Sequence, residues 1–509
     1  MTVSIGTGLT LDDVVAVAVG GAEVDIDDGV AARMAPARAL VEDAVTKQRT
    51  VYGVTTGIGY LANVRINPDD AARVQRDIVR SHATGVGPSL PTEVVRAMLL
   101  LRARTFAFGV SGVRFELVER LVHMLNSRLH PVVPAQGSLG CSGDLAPLAH
   151  LGLPLMGEGT VEVSGRELSA ADALKSAGLS PIELSFKEGL ALVNGTEAML
   201  ALGILVLHRA ERLARSADVA GAMSLEACLG TDRAFDEDLI ALRKHRGAPL
   251  VASNLRRLLN DSSIVLSHRN SEHLVQDPYS LRCMPQVHGA YRDGLAYVRS
   301  MLEAELGSAI DNPTVLVDRQ EVLSGGNFHG EALGLALDHL SLCLTGFATI
   351  SERRIARLVD PGASNGLPAF LTTEPGRFSG FMLVQYTAGS LVSESRSLCF
   401  PASSDSIPSS AGQEDHVSMG TTSGRKAAAI LANSEHVIAI EALAAAQGLD
   451  LRAPLEPGPG TGAAAEIVRG CSPKLSEDRS LAPDIAAVTQ VVATGRLVEA
   501  VEERIGALE

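Results

Sequence analysis

The chain has 509 residues, enough to bury a large core and to form an enzyme. Only 3% of the residues are aromatic and Trp is absent, so the core must be built mainly from Leu, Val, Ile and Ala, a mixture that favours helices packed on helices. A formal net charge of -15 argues against a nucleic-acid partner, because neutralising phosphates needs clusters of Lys and Arg that this sequence does not show.

The cysteines and the N-terminus indicate the compartment. The six cysteines are far apart and form no C-x-x-C pair, so we expect reduced thiols rather than a zinc site or a redox dithiol. The first apolar run has no basic residues before it, which argues against a secretion signal. We find no stretch of about 18 uncharged apolar residues and therefore expect no membrane span. The predicted location is the cytoplasm.

In chain order, the first predicted elements are short and mixed. β-Branched, glycine-punctuated segments occur near residue 50 in RTVYGVTTGIGYL and near residue 165 in TVEVSGRELS. The second alternates around Ser164-Gly165 and predicts a hairpin. The segments at 115–129 and 296–309 repeat apolar residues at spacings of three and four, which predicts amphipathic helices.

From about residue 190 onward the pattern predicts long helices. EALGLALDHLSLCLTGFATISERRIARLV and KAAAILANSEHVIAIEALAAAQ are apolar around much of a helix, so other helices must bury them. The predicted fold is mainly α, a long-helix bundle with a smaller mixed α/β N-terminal part. We place the approximate boundary of one intertwined fold between 1–200 and 201–509, and we expect loops at 372–380 and 452–466.

The segment GSLGCSGDLAPLAH, residues 137–150, is the first candidate site. A phosphate-binding loop is a poor interpretation, because no Lys follows the glycines and Asp144 would repel phosphate. A reactive Cys141 thiol with His150 or His130 as its base stays open. So does a plain turn with a small buried cysteine.

A third interpretation is that the backbone modifies itself. Gly143 has no Cβ, so its amide nitrogen can approach the carbonyl of Cys141 and close a five-membered ring. Ser142 carries a β-hydroxyl that can leave as water. Loss of two waters in total gives a methylidene-imidazolone, an electrophile that no ordinary side chain provides. In this chemistry Cys141 contributes only its carbonyl group.

This segment resembles the signature of the histidine and aromatic amino acid ammonia-lyases. Further matching blocks follow in order between residues 51 and 420: VYGVTTGIG, SHATGVG, KEGLALVNGTEA, VQDPYSLRCMPQVHG, DNPTV, SGGNFHGE, SERRIARLVDP and PASSDSIPSSAGQEDHVSMG. Family members usually carry Ala-Ser-Gly at the cyclising triad, and Cys141 departs from this at a position where only the backbone is used. The resemblance implies a methylidene-imidazolone cofactor formed from Cys141-Ser142-Gly143, without a metal or an external cofactor.

The resemblance also implies a fold and a reaction. The fold is a long-helix bundle of the fumarase/aspartase-like type, whose smaller N-terminal part carries the modified turn. The reaction is elimination of ammonia from an amino acid, in which the electrophile captures the amine and a base takes the β-proton. The family's base corresponds to Tyr52. A phenol is a weak base unless its pKa is lowered, so Tyr52 needs electropositive or hydrogen-bonding surroundings.

Other site residues follow from the same blocks. Arg282 suits a bidentate grip on the substrate carboxylate, although taken alone it would more often be a surface charge. The resemblance implies that Tyr279 and Phe328 complete the catalytic set. It also implies that Asn194 and Gln276 line the site near the carboxylate and the modified ring, where their alternative is to be buried loop amides.

The predicted substrate is histidine, which would give urocanate and ammonia. An imidazole ring both donates and accepts, so His82 and Glu414 are sensible partners for its two nitrogens, and by resemblance Met382 flanks it. Gly412 and Phe400 depart from the residues usual in the family. The alternatives are a lyase or a 2,3-aminomutase acting on tyrosine or phenylalanine, and a catalytically silent binding relative.

The resemblance implies a homotetramer whose active sites draw residues from three subunits. Tyr52 and Arg282 would then come from different chains, and a monomer would be inactive. The expected partner is a small amino acid substrate, with no nucleic acid and no membrane. We expect His329 and His416 to be structural rather than catalytic.

Overall fold

The computed structural model describes residues 2–6, 8–140, 143–270 and 275–509. The chain divides into two units, each assembled from separate stretches of sequence. The first unit holds Met1–Leu205, Arg299–Asp338 and Pro401–Arg425, and the second holds Val206–Val298, His339–Phe400 and Lys426–Glu509. The predicted boundary near residue 200 stays a prediction.

The first unit is the mixed part, and it contains all the strands in the described residues. Its helices are Leu11–Ala18, Gly29–Thr46, Ala71–His82, Thr92–Ala107, Phe115–Asn126, Leu145–Gly152, Ala170–Ser176 and Glu188–Val193. Of the four small sheets that its described residues form, one is parallel and pairs Thr2–Ile5 with Glu23–Ile26. Two antiparallel sheets have two strands each, Val86–Ser89 with Pro134–Gln136 and Thr314–Leu316 with Glu321–Leu323. The fourth is antiparallel and has three strands, with Thr160–Val163 between His130–Pro131 and Arg166–Ser169.

The hairpin predicted around residue 165 is confirmed. Thr160–Val163 pairs antiparallel with Arg166–Ser169, with Val163 opposite Arg166. The two turn residues, Ser164 and Gly165, have φ values of 53° and 78°. Two successive left-handed residues match the twist of the flanking strands, as in a tight hairpin turn.

The amphipathic helix predicted at 115–129 is confirmed over Phe115–Asn126. Its apolar residues at helical spacing, Leu117, Leu121 and Leu125, are buried. The observed helix ends before the predicted limit, because Arg128 adopts a φ of 56°, which a right-handed helix cannot continue. The segment predicted at 296–309 lies in the longer helix Met284–Leu306.

The helices of the second unit include Glu237–Ala241, Gly247–Leu258, Ser263–Ser267, Tyr279–Arg282, Met382–Leu398, Pro459–Cys471, Ala482–Ala493 and Arg496–Ile505. Four longer helices contribute residues to both units: Glu197–Ala227, Met284–Leu306, Glu331–Val359 and Gly420–Leu451. The mainly α fold with long helices is therefore confirmed.

Three helical segments are long and apolar enough, by length and composition, to cross a membrane. They are Glu188–Ala227, Glu331–Val359 and Gly420–Leu451, and their most apolar windows are 100%, 67% and 72% buried inside the protein. Packing within the protein accounts for this apolar character. The expected absence of a membrane span stays a prediction.

One of the two predicted loops needs correction. Residues 372–380 do form turns, but the predicted loop at 452–466 ends early, because a helix begins at Pro459. Proline is tolerated in the first turn of a helix, where its missing N–H has no partner to lose. The proline and glycine signal therefore marked the start of a helix as well as the end of one.

Candidate active site

A cavity of about 1220 Å³ in the first unit brings together predicted site residues from distant parts of the sequence. The predicted residues that line it are Tyr52, His82, Gly143, Asn194, Phe328 and Glu414. Cys141 and Ser142 lie outside the described residues, so the structure gives no geometry for them. The cavity is the candidate active site.

The turn that carries Gly143 lies very close to the backbone of a neighbouring segment at Gly195. Gly143 has a φ of 82°, and a Cβ placed there would lie 2.0 Å from the carbonyl oxygen of Gly195. The N–H of Asp144 donates to this same carbonyl. On the other side, Ser418 Oγ donates to the carbonyl of Gly140 at 2.7 Å. Glycine is therefore required at position 143.

Asp144, directly after the triad, is fully buried. Its carboxylate accepts hydrogen bonds from Ser138 Oγ at 3.2 Å, from the N–H of Met199 at 2.9 Å and from Thr421 Oγ1. Burial raises the pKa of Asp144 to about 6, although these donors oppose the shift. Its negative charge is thus costly to keep at neutral pH, and the three donors fix the start of the helix Leu145–Gly152.

This burial predicts a pH-dependent stability. The pKa of Asp144 lies above its ordinary value of 3.8, so the folded protein holds a proton that the unfolded chain has released. Stability is therefore lost as the pH rises from about 4 to about 6, by about 3 kcal/mol for this group. The free energy of unfolding of wild type minus that of Asp144→Asn should be lower at pH 7 than at pH 4 by about this amount. Denaturant titration of both proteins at the two pH values measures the difference. Asp405→Asn, at an exposed position, is the matched control. A constant difference between the two pH values would contradict the prediction.

Asn194 offers an unused acceptor to the cavity. The residue is 3% exposed, and its Nδ2 donates to the carbonyl of Asn312 at 3.0 Å. Its Oδ1 is buried without a hydrogen-bond partner among the described residues. A buried unpaired acceptor is costly, which indicates that a donor from a ligand completes it. Together with the close backbone approach at Gly143, this fits a rigid backbone-derived ring at 141–143 with an amine beside it.

Buried charges near the turn were not identified from the sequence. Arg102 pairs with Glu197 at 2.9 Å, and its Nη1 also donates to the carbonyl of Asn194 at 3.0 Å. Lys187 Nζ lies 2.6 Å from Asp311 Oδ2, and both side chains are fully buried. The available signal was that Lys187, Glu197 and Asp311 are charged residues inside otherwise apolar or small-residue blocks.

Tyr52 lies in a series of turns, not in a strand. Thr55 Oγ1 donates to the carbonyl of Arg49 at 2.6 Å and accepts from the N–H of Val51 at 2.9 Å, which closes the turn around Tyr52. The half-buried phenol oxygen accepts a hydrogen bond from the N–H of Gly59 at 3.0 Å. The sequence TVYGVTTG therefore favours turns that threonine hydroxyls stabilise.

Within one chain, the surroundings of Tyr52 raise the pKa of its phenol rather than lower it. Burial raises this pKa and the negative charge of Glu414 raises it further, while the hydrogen bond from Gly59 opposes them. Among the described residues that line the cavity there is neither Lys nor Arg. The described residues of one chain thus bring neither an ammonium nor a guanidinium group to this cavity to stabilise a phenolate or to bind a carboxylate.

His82 and Glu414 are held by local contacts. His82 is the last residue of the helix Ala71–His82, and its Nδ1 lies 2.8 Å from the carbonyl oxygen of Ile78. A carbonyl can only accept, so Nδ1 is the donor in this contact, and the Nδ1–H tautomer leaves Nε2 as an acceptor. Glu414 Oε2 accepts from Ser409 Oγ at 2.9 Å. Both predicted ring partners are therefore oriented.

The remaining predicted residues belong to the second unit and are not among the residues that line this cavity. Arg282 ends the helix Tyr279–Arg282, and its guanidinium carbon lies 4.8 Å from the ring centroid of Tyr279, which is 72% exposed. Arg282 lines a separate cavity of about 470 Å³. Gln276 is exposed, and Met382 begins the helix Met382–Leu398.

Two histidines that we expected to be structural also line the first cavity. The rings of His329 and His416 stack with centroids 5.9 Å apart, and His416 Nε2 lies 3.5 Å from Glu331 Oε2. Their structural role stays a prediction. Within the described ranges no group of three or more His, Cys, Asp or Glu side chains is placed to hold a metal ion.

Comparisons with known proteins agree on one family. The family model for aromatic amino acid lyases matches residues 9–470. The histidine ammonia-lyase of Gloeobacter violaceus is 51% identical over 504 residues, which cover 99% of this chain and 98% of that protein. The histidine ammonia-lyase of Symbiobacterium thermophilum is 52% identical over 507 residues, which cover 100% and 99%.

Solved structures give the same result. The histidine ammonia-lyase of Trypanosoma cruzi matches with a TM-score of 0.91 at 41% identity, covering 99% of this chain and 96% of that one. The tyrosine aminomutase of Streptomyces globisporus matches with a TM-score of 0.95 at 37% identity, covering 100% of both chains.

Proposed function

Because the chain belongs to the aromatic amino acid lyase family, we propose that it eliminates ammonia from L-histidine to give trans-urocanate. The observation that carries this proposal is the cavity itself, which collects Tyr52, His82 and Glu414 around the turn of Gly143. These residues provide a proton acceptor and two partners for an imidazole ring at one place.

The proposed cofactor is a methylidene-imidazolone made from Cys141-Ser142-Gly143. It would supply an electrophile that captures the substrate amine and makes it a better leaving group. The missing Cβ at Gly143 and the unpaired Oδ1 of Asn194 support this group, as described above. Asn194 Oδ1 would accept a hydrogen bond from the substrate amine and hold it near the turn.

Tyr52 is the proposed base for the β-proton. The N–H of Gly59, 3.0 Å from the phenol oxygen, stabilises the deprotonated form. A cation is still needed to offset burial and the charge of Glu414, and the proposed source is Arg282 of a neighbouring subunit. The same guanidinium would grip the substrate carboxylate, for which the cavity of one chain has no Lys or Arg among its described lining residues.

Recognition of the ring depends on His82 and Glu414. His82 Nε2 would accept the N–H of the substrate imidazole, and Glu414 would accept from the other nitrogen when that nitrogen carries a proton. A phenyl ring would cover these two partly buried acceptors without donating a hydrogen bond to either. Such a ligand is disfavoured relative to one that donates, so the pocket favours histidine over phenylalanine.

We propose a cytoplasmic homotetramer whose active sites are completed across subunits. Tyr279, Gln276, Arg282 and Met382 would enter the cavity of another chain. Support comes from exposed apolar side chains on the long helices, Leu335 and Leu342 on Glu331–Val359 and Leu383 on Met382–Leu398, which a partner chain would bury.

Arg282→Lys tests the carboxylate grip. An ammonium cannot reproduce the planar two-point contact, so we expect kcat/KM for histidine to fall by about 10²-fold, mostly through KM. Steady-state kinetics measure this, with Arg246→Lys, an exposed arginine of the second unit, as the matched control. A KM unchanged in Arg282→Lys would remove Arg282 from the proposed site.

The function is tested by incubating the protein with histidine, phenylalanine and tyrosine side by side and identifying the products. Urocanate and ammonia from histidine alone are expected. The resemblance to tyrosine aminomutase makes a β-amino acid the second candidate product, and the same analysis detects it. Intact mass gives an independent check, because the mature chain should be lighter by two waters in the peptide that contains 141–143. No turnover of histidine would refute the assignment.

A further inference from the structure

We infer that Ser410 is a positioning residue for Tyr52, acting through the adjacent amides of Gly59 and Tyr60. This inference rests on the proposed role of Tyr52 as the base. It assigns a task to a serine whose own hydroxyl touches no proposed reacting atom. The contacts that carry it all lie within the first unit.

The segment that holds Ser410 has an unusual backbone. Ser410, Ala411 and Gly412 have φ values of 50°, 53° and 84°, so three successive residues are left-handed. Residues with a Cβ adopt this conformation at a cost in free energy, and they rarely do so in succession. Such a turn persists only where its surroundings impose it, and such strain is concentrated at functional sites.

Hydrogen bonds at the base of the turn hold it closed. The N–H of Ser409 donates to the carbonyl of Glu414 at 2.9 Å, and the N–H of Gly412 donates to the carbonyl of Ser409 at 3.0 Å. The side chains of Ser409 and Glu414 are also joined, at 2.9 Å. These contacts fix Glu414, but they do not explain why Ser410 and Ala411 are left-handed.

The contact of Ser410 with the Tyr52 segment supplies a reason. Ser410 Oγ accepts a hydrogen bond from the N–H of Tyr60 at 3.1 Å. The preceding amide, that of Gly59, donates to the phenol oxygen of Tyr52 at 3.0 Å. Of two consecutive amides, that of Tyr60 donates to the serine hydroxyl and that of Gly59 donates to the phenol. The bond from Tyr60 to Ser410 therefore fixes the direction in which the N–H of Gly59 points.

The approach is so close that it constrains the sequence on both sides. A Cβ at Gly59 would lie 2.3 Å from Ser410 Oγ, and Gly59 has a φ of 56°. A side chain at position 59 would therefore push the hydroxyl away and break the arrangement. The left-handed turn at 410–412 brings the hydroxyl to this point, which links the loop of Glu414 to the amide that stabilises deprotonated Tyr52.

The test uses two substitutions that remove the hydroxyl in different backbone contexts. Ser410→Ala keeps the cost of a left-handed residue, whereas Ser410→Gly relieves it and should fold at least as well. Ser404→Ala is the matched control, since Ser404 lies in the same segment and its hydroxyl donates to the carbonyl of Pro401 at 2.8 Å. Circular dichroism and native mass check folding and assembly.

The readout is the pH dependence of the Tyr52 phenol. Losing the fixed Gly59 donor raises the pKa of Tyr52, so in both variants the rising limb of kcat/KM against pH should move up by about one unit, a loss of about tenfold on the acid side. The phenol itself is titrated by near-ultraviolet absorption, as the difference between each protein and the same protein carrying Tyr52→Phe. Ser404→Ala should match wild type in both measurements.

The outcomes separate this inference from the proposed function. A raised Tyr52 titration in both Ser410→Ala and Ser410→Gly supports the positioning role, even if the wild-type enzyme turns over another amino acid. An unshifted titration in Ser410→Gly, or a loss of activity that is uniform across pH, overturns it. Failure of the wild type to act on histidine or to lose two waters would refute the proposed function. The titration of the Tyr52 phenol would still decide whether Ser410 positions Tyr52.

Discussion

Ser142→Ala should reduce the turnover of histidine by at least about 10³-fold, since without the serine hydroxyl the electrophile cannot form and the amine remains a poor leaving group. Ser142 lies outside the described residues, so this prediction depends on the chemistry of the triad and on the geometry of Gly143 beside it. Intact mass should show the variant without the full loss of two waters that we expect in wild type.

The control for this variant is Ser176→Ala. Ser176 is an exposed serine of the first unit, whose hydroxyl donates to the carbonyl of Asp172 at 2.8 Å. This variant should keep wild-type activity and the wild-type mass deficit. Activity of Ser142→Ala within about tenfold of wild type would show that elimination does not depend on a ring made from this serine.

Tyr52→Phe should lower kcat by about 10²- to 10⁴-fold, the range expected when a positioned acid–base group is removed. The substitution keeps the ring but deletes the oxygen that accepts from Gly59. The residual rate should also lose the dependence on pH that the phenol imposes in wild type. Steady-state kinetics across a range of pH measure both effects.

Tyr386→Phe is the matched control for Tyr52→Phe. Tyr386 is exposed on the helix Met382–Leu398, and it has no assigned role in the reaction. If Tyr52→Phe retained both the rate and the pH profile of wild type, another group would have to take the β-proton. His329 and His416, which also line the cavity, would be the next to test.

The sequence predicted the elements whose pattern is local. The apolar spacing in Phe115–Asn126 and the apolar length of Glu331–Val359 follow from helix periodicity, and both helices are present. The hairpin around Ser164-Gly165 follows from turn chemistry. The start of a helix at Pro459 was missed, because the same residues signal either the end of one element or the start of the next.

The candidate site was predicted in a different way, through blocks of residues that resemble a family. These blocks named Tyr52, His82, Asn194, Phe328 and Glu414, and the fold brings all five to one cavity. They did not predict which side chains would meet, since contacts between distant segments depend on the tertiary structure.

The contacts of Asp144 and the turn at 410–412 illustrate what could not be predicted from the sequence. Asp144 is held by Met199 and Thr421, which are far from it in sequence and carry no pattern that pairs them. The left-handed conformation of Ser410 contradicts the ordinary preference of serine and is imposed by its surroundings. Local propensity fails at such strained positions, and these positions are often functional.

The contact between Gly143 and the carbonyl of Gly195 makes the positions of the triad differ in which residues they accept. At the third position any Cβ would overlap the neighbouring oxygen, so no residue other than glycine fits there, whatever its chemistry. In the proposed reaction the first place contributes only its main chain, so a cysteine there is compatible with formation of the ring.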